Sequence, residues 1–213
     1  MDKRAFKNRI YSEISSVAKA ISNPNRLEII DFIANGAKSV EDIALQTEIS
    51  IANASQHLQT LKKERLVQTT KKGNQVFYAL SSIEVYRAWK SLRELTLSSS
   101  SQVSDIMVDM QENFDYDSSY HWNDIKERKD IYLLDVRPED EFAQNHISRA
   151  TSIPLKELND RLTEIPKNKL IITYCRGMFC LMADEAVKIL HSNGFNARKI
   201  EESALDSQID SGL

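Results

Sequence analysis

The 213-residue sequence predicts two domains of different class: a mainly α-helical domain closed by a β-hairpin, then an α/β domain built on a parallel sheet. Two observations carry this prediction. Up to residue 65 apolar residues recur at spacings of three and four and are followed by two β-prone runs; beyond residue 130 short apolar runs alternate with helical segments. A content of 41% hydrophobic and 28% charged residues is ordinary for globular proteins and fills two small cores. No stretch approaches the ~20 apolar residues that span a bilayer, so no membrane partner is expected. The N-terminal MDKRAFKNRIYSEI has neither an apolar core nor a small-residue cleavage site, so no signal peptide is expected and the cytoplasm is the expected location.

In chain order, Phe6, Ile10, Ile14, Val17 and Ile21 line one face of a first helix. Asn23 caps a second, with Pro24 at its first position, and Asn35-Gly36 stops it. Ser39 caps a short helix, Val40 to Gln46, with Glu41 and Asp42 in its first turn, where acids suit the helix dipole. Ser50 caps the next, Ile51 to about Lys63, with Ile51, Ala54, Leu58 and Leu61 assigned to the core. The runs 66–70 and 75–80 are β-prone, and Lys71-Lys72-Gly73-Asn74 joins them as a hairpin. A helix follows over Ile83 to Leu97, interrupted at serines 98–101 and resumed from Val103 to Met110. The polar, acidic QENFDYDSSY marks the boundary: domain one spans 1–110, a linker 111–120 and domain two 121–213. In domain two, strands are predicted at 131–136, 170–174 and 197–200, and helices at 155–162 and 181–192.

Net charge is −3, which argues against general polyanion binding, but charge is unevenly placed. Between Ile51 and Leu80, Lys62, Lys63, Arg65, Lys71 and Lys72 stand against the single acid Glu64. Three short helices followed by a basic hairpin form a winged helix-turn-helix, in which a helix enters the major groove and presents its N-terminal side chains to base edges. On the Ile51–Lys63 helix this leaves Asn53, Ser55, Gln56, Gln59 and Thr60 for DNA, with Lys62, Lys63, Lys71, Lys72 and Asn74 attracting phosphate. His57 is assigned to packing and not to a metal.

The segments Asn23-Pro24-Asn25-Arg26-Leu27-Glu28, Ser39-Val40-Glu41-Asp42-Ile43-Ala44, Ser50 to Leu61, and Gly73 to Leu80 resemble the ArsR-type (arsenical-repressor) family over roughly residues 5–95. The resemblance implies a homodimer joined through the first and last helices and repression at a double-stranded operator of two-fold symmetry. Many relatives sense soft metals through cysteines on the helix before the recognition helix, or through His on the last one. Here that stretch, EDIALQTE, has no Cys and residues 83–110 have no His, so no metal and no cofactor is expected.

The only cysteines are Cys175 and Cys180; a close pair in a reducing compartment is more often reactive or metal-binding than structural. No nearby ligands of suitable spacing complete a zinc site. Leu133-Leu134-Asp135-Val136-Arg137-Pro138-Glu139-Asp140-Glu141-Phe142, His146-Ile147, and Ile171-Ile172-Thr173-Tyr174-Cys175-Arg176-Gly177 resemble the rhodanese family. The resemblance implies that Cys175, at a strand end before a helix, is a low-pKa nucleophile carrying persulfide sulfur, cradled by amides of Arg176, Gly177 and the residues up to Cys180. It further implies that Asp135 fixes the loop and that Arg137 and Glu141 form an ion pair. Cys180 is expected to act as a resolving thiol in redox-sensor fashion, with a small sulfur donor or oxidant as partner. Departures from the pattern are Asn145, Arg149, Met178, Ser203 and Ser207. Two function classes follow: a sulfur- or redox-responsive DNA-binding regulator, or a thiosulfate/persulfide sulfurtransferase with the DNA-binding half as accessory. A phosphatase or arsenate reductase, the third, lacks the phosphate-clamping Arg six residues after the cysteine, where Leu181 stands.

Overall fold

The computed structural model describes residues 2–111 and 120–210, so most of the 111–120 segment lies outside the described residues. The chain divides into two compact units, Met1–Ser99 and Ser100–Leu213.

The first unit runs α1 (Lys3–Ile21), α2 (Pro24–Ile33), β1 (Lys38–Ser39), α3 (Val40–Gln46), α4 (Ile51–Lys63), β2 (Val67–Lys72), β3 (Gln75–Leu80) and α5 (Ile83–Ser99). Helix starts follow the predicted caps. Asn23 accepts from the Arg26 amide at 3.2 Å. Ser39 and Asp42 form a reciprocal capping box, Ser39 Oγ accepting from the Asp42 amide at 3.1 Å and Asp42 accepting from the Ser39 amide at 3.2 Å. Ser50 accepts from the Asn53 amide at 3.2 Å. The hairpin turn is tighter than the sequence predicts: Lys71 and Lys72 belong to β2, leaving Gly73-Asn74 as a two-residue loop with Gly73 at φ +60. The two-residue strand β1, invisible to a pattern of period two, adds to the outer edge of β3. The core gathers Ile29, Ile30 and Ile33 of α2, Ile43 of α3, and Ala54, Leu58 and Leu61 of α4. Trp89 of α5 donates to Asp31 at 2.8 Å, tying α5 to α2.

The second unit runs α6 (Ser101–Gln111), α7 (Trp122–Ile125), β4 (Ile131–Asp135), α8 (Glu139–Gln144), β5 (Thr151–Ser152), β6 (Leu170–Tyr174), α9 (Met182–Ser192), β7 (Ala197–Lys199) and α10 (Ala204–Asp210). The sheet is parallel with strand order β5-β4-β6-β7. Successive strand residues face opposite cores: Leu134 and Ile171 meet Ala186, Val187 and Leu190, whereas Leu133, Ile172 and Tyr174 meet Trp122, Ile125 and Ala204. Cover on both faces explains why these strands are continuous apolar runs in the sequence.

One predicted helix is corrected. Residues 155–162 hold only a 3₁₀ turn, Leu155–Glu157, with a second at Leu162–Glu164. Leu155 and Leu158, like Leu162 and Ile165, are three residues apart, a spacing that a 3₁₀ turn satisfies as well as an α-helix does, and Asn159-Asp160 between the turns favours turning over helix.

Candidate functional site

In the first unit, α4 buries Ala54, Leu58 and Leu61 completely, which turns the remaining faces outward. Gln56 and Gln59 are exposed, and Asn53, Ser55 and Thr60 are half-buried on the same helix. Lys62, Lys63, Lys71, Lys72 and Asn74 are all exposed. Two of the lysines have partners within the unit: Lys62 Nζ donates to Thr69 Oγ1 at 3.1 Å, and the Lys72 ammonium lies 5.2 Å from the Phe77 ring centre. Ile51 is the residue that departs from the predicted pattern. It is 53% exposed, because it is the first residue of α4 and its side chain leans toward the helix N-terminus, beyond the packed turn. His57 lies 3.4 Å from Asn25 Nδ2, and burial, then the charge of Arg26, lowers its pKa, as suits a packed neutral imidazole.

In the second unit, Asp135 ends β4 and Tyr174 ends β6 directly beside it. The sheet order reverses between these two strands, and the carboxyl ends at such a reversal form the usual crevice of an open parallel sheet. Cys175 is the next residue. The loop from Cys175 to Leu181 then turns into α9, with Gly177 at φ +122 and the Cys180 amide donating to the Gly177 carbonyl at 3.0 Å. Met178 is not among the residues of positive φ, so this position makes no demand for glycine.

Two ion pairs underlie the loop, and the charge of Glu141 also acts on Arg137. Arg137 goes to Asp135, at 3.0 and 3.1 Å from Nε and 2.6 Å from a terminal nitrogen, both side chains being fully buried. Glu141, also fully buried, goes to Arg176 at 3.1, 3.1 and 2.7 Å. Asp135 and Arg137 lie two residues apart at the strand end, and Glu141, in the first turn of α8, reaches across to the cysteine loop. The Tyr174 hydroxyl accepts from the Ile147 amide at 3.1 Å, and burial, then Asp135, pushes its pKa up. Asp135 thus fixes the platform below the loop through Arg137 and Tyr174 and does not touch a sulfur through any described contact.

The sulfurs share the loop unequally. Cys175 is 3% exposed and its thiol donates to the Cys180 carbonyl at 3.0 Å. Burial, then the neighbouring Cys180 sulfur, pushes the Cys175 pKa well up, against the backbone N–H groups of Ala183 and Gly177. Cys180 is half-buried; the hydrogen bond from Cys175, aided by the amides of Arg176 and Met182 and by the Arg176 charge, lowers it to about 7 against the cost of burial. The amide cradle expected over Arg176 to Cys180 is therefore divided between two sulfurs. The two thiols are thus shifted in opposite directions, Cys175 up and Cys180 down.

Other departures gain roles. Arg149 holds φ +64 and its guanidinium donates to the carbonyls of Ile125 at 3.1 Å, Lys126 at 3.0 Å and Arg128 at 2.5 Å, closing the end of α7. Ser203 accepts from the Asp206 amide at 3.1 Å while its own amide donates to Asp206 at 3.1 Å, a second capping box that starts α10. Outside the loop a cavity of about 170 Å³ lies among Ile106, Met107 and Met110 of α6, Met178 and Phe179 of the loop, and the Asp184–Lys199 ion pair of 2.7 Å. Sequence reasoning missed this wall; the only signal for it is the apolar spacing of α6. Among the described residues, no group of three or more His, Cys, Asp or Glu is placed to hold a metal ion, and no helix is long and apolar enough to cross a membrane.

Residues 23–69 match the bacterial regulatory protein arsR family, and residues 118–203 match the rhodanese-like domain. The HTH-type transcriptional regulator Rv0324 of Mycobacterium tuberculosis is 31% identical over 94% of this chain and 89% of its own length. The chain belongs to the ArsR-type helix-turn-helix regulators that carry a C-terminal rhodanese-like domain. Shorter likenesses cover the first unit of this ArsR-family chain. The transcriptional activator HlyU of Vibrio cholerae is 40% identical over 32% of the chain and 62% of its own length, and an arsenical resistance operon repressor of Staphylococcus xylosus is 35% identical over 33% and 68%. The first unit is thus the DNA-binding half of a transcriptional regulator, and the second is rhodanese-like.

Proposed function

We propose that this regulator holds operator DNA as a homodimeric repressor and that reactive sulfur chemistry at Cys175 and Cys180 sets its affinity. The observation that carries the reading is the division of one loop's amides between two sulfurs, one buried and one half-buried, above two buried ion pairs. A single sulfur carrier needs one anion cradle; two thiols in one loop are suited to disulfide or sulfur-bridge formation. Phe6, Ile10, Ile14 and Val17 of α1 remain exposed as a continuous apolar face, which supports pairing with a second copy. Asn53, Ser55, Gln56, Gln59 and Thr60 contact bases, and Lys62, Lys63, Lys71, Lys72 and Asn74 contact phosphate, in this reading.

Fluorescence anisotropy tests it, with DNA from upstream of the protein's own gene at fixed salt, comparing reduced with polysulfide-treated protein. The expected result is weaker binding after treatment, absent in Cys175→Ser. Equal, tight binding in both states detaches the cysteines from regulation. The second reading is a sulfurtransferase with Cys175 as carrier, favoured by the placement of Cys175 at the carboxyl end of β6; it requires steady thiocyanate formation from thiosulfate and cyanide without DNA.

A further inference from the structure

The cavity of about 170 Å³ beside the cysteine loop lies wholly within the second unit, and neither Cys175 nor Cys180 is among the residues that line it. Ile106, Met107 and Met110 of α6 form one wall, and Met178, Phe179 and Leu181 of the loop form the other. Its rim is reachable from solvent, because Ile106, Met110 and Phe179 are large apolar side chains that stay exposed. Methionine occurs five times in the chain and three of the five stand here, so the walls are flexible thioethers that reshape around an apolar guest. The charged side chains among the lining residues, Asp184 and Lys199, are paired with each other at 2.7 Å.

These features define the guest. An apolar cavity of about 150 Å³ holds one benzene ring, so the volume here takes a single ring with a short substituent. Thioether sulfur favours contact with an aromatic ring, and Phe179 adds an aromatic partner of its own. Because Asp184 and Lys199 already neutralise one another, a charged guest gives up its hydration without gaining an unpaired counter-charge. A hydroxyl group gives up less and hydrogen-bonds to the carboxylate or the ammonium of the pair. We propose that the rhodanese-like unit carries a ligand site separate from its sulfurs, for an uncharged monocyclic aromatic molecule with one hydrogen-bonding group. The ring lies between α6 and the loop, and the polar end meets Asp184 and Lys199.

The methionines supply the test. The full-length protein, isotope-labelled at its methionine methyl groups, is titrated with benzyl alcohol and followed by NMR, with Met107→Leu, Met110→Leu and Met178→Leu assigning the signals. The expected result is that the signals of Met107, Met110 and Met178 shift together on one saturation curve. Benzoate and benzylamine, of similar size and opposite charge, bind at least about tenfold more weakly, because each buries a charge without a partner. Met107→Trp, which sets an indole into the cavity from α6, weakens benzyl alcohol binding at least about tenfold by occupying the space. Shifts that rise without saturating, shifts confined to one wall of the cavity, or equal binding of benzoate overturn the proposal. The wild-type titrations decide this by themselves, whether or not Met107→Trp folds. Neither DNA nor a sulfur donor enters the experiment, so its outcome and that of the sulfur-responsive reading are independent.

Discussion

In the first unit the side chains proposed to face DNA are held at the surface by what lies behind them: Ala54, Leu58 and Leu61 are fully buried and leave Gln56 and Gln59 in solvent on the other side of α4. In the second unit the candidate site lies inside, Cys175 at 3% exposure, over the fully buried Asp135, Arg137 and Glu141. The first arrangement needs only an amphipathic helix, so each outward side chain acts nearly alone. The second depends on each charge having the right partner. Function and stability are therefore separable on α4 and inseparable around the cysteine loop.

The largest expected effect sharpens that difference. Asp135→Asn leaves the buried Arg137 guanidinium without its counter-charge and destabilises the second unit by about 3–5 kcal/mol, whereas replacing the pair together by apolar residues of similar size restores much of the loss. Urea unfolding followed through Trp122 reads this, while Trp89 reports the first unit. Glu164→Gln, which breaks an exposed pair with Arg161, leaves the same midpoint in place. Equal effects of the two substitutions would erase the distinction between buried and exposed pairs here. On α4 the opposite holds. Gln56→Ala leaves both unfolding midpoints unchanged and weakens operator binding by about 1–3 kcal/mol, roughly 5- to 150-fold, in anisotropy titrations. Lys71→Ala lowers affinity for all sequences alike and reduces the slope of log affinity against log salt by about 0.9.

The same contrast governs what the sequence discloses. Asn23, Ser39 and Ser50 announce their helices because a cap bonds an amide two or three residues away, and the strand at Leu170–Tyr174 announces itself because both faces of the sheet are covered. All the information is local. The partner of Glu141 is decided by the reach of α8 to Arg176, 35 residues along the chain, which no local spacing encodes. The unequal burial of the two sulfurs is likewise set by how the loop folds over Cys175. Ile51 fits the helical repeat and is still exposed, since a repeat says which face a residue shares and not whether anything covers its end of the helix. Even the departures from the rhodanese pattern were legible only as differences: Ser203 and Arg149 show their capping roles once α10 and α7 are in place.

The smallest effect compares the two units on one motif. Ser39 with Asp42 and Ser203 with Asp206 make the same reciprocal box, serine Oγ accepting at 3.1 Å in each, one starting α3 and the other α10. Both serines are buried, so removing the hydroxyl leaves an amide that water does not readily reach. Ser39→Ala and Ser203→Ala are each expected to cost about 1 kcal/mol. If the units unfold independently, Ser39→Ala moves only the Trp89 transition and Ser203→Ala only the Trp122 transition. If each shifts both probes, the units unfold as one. A shift passed from α10 to the Trp89 transition would then show that the stability of the rhodanese-like unit bears on that of the DNA-binding one.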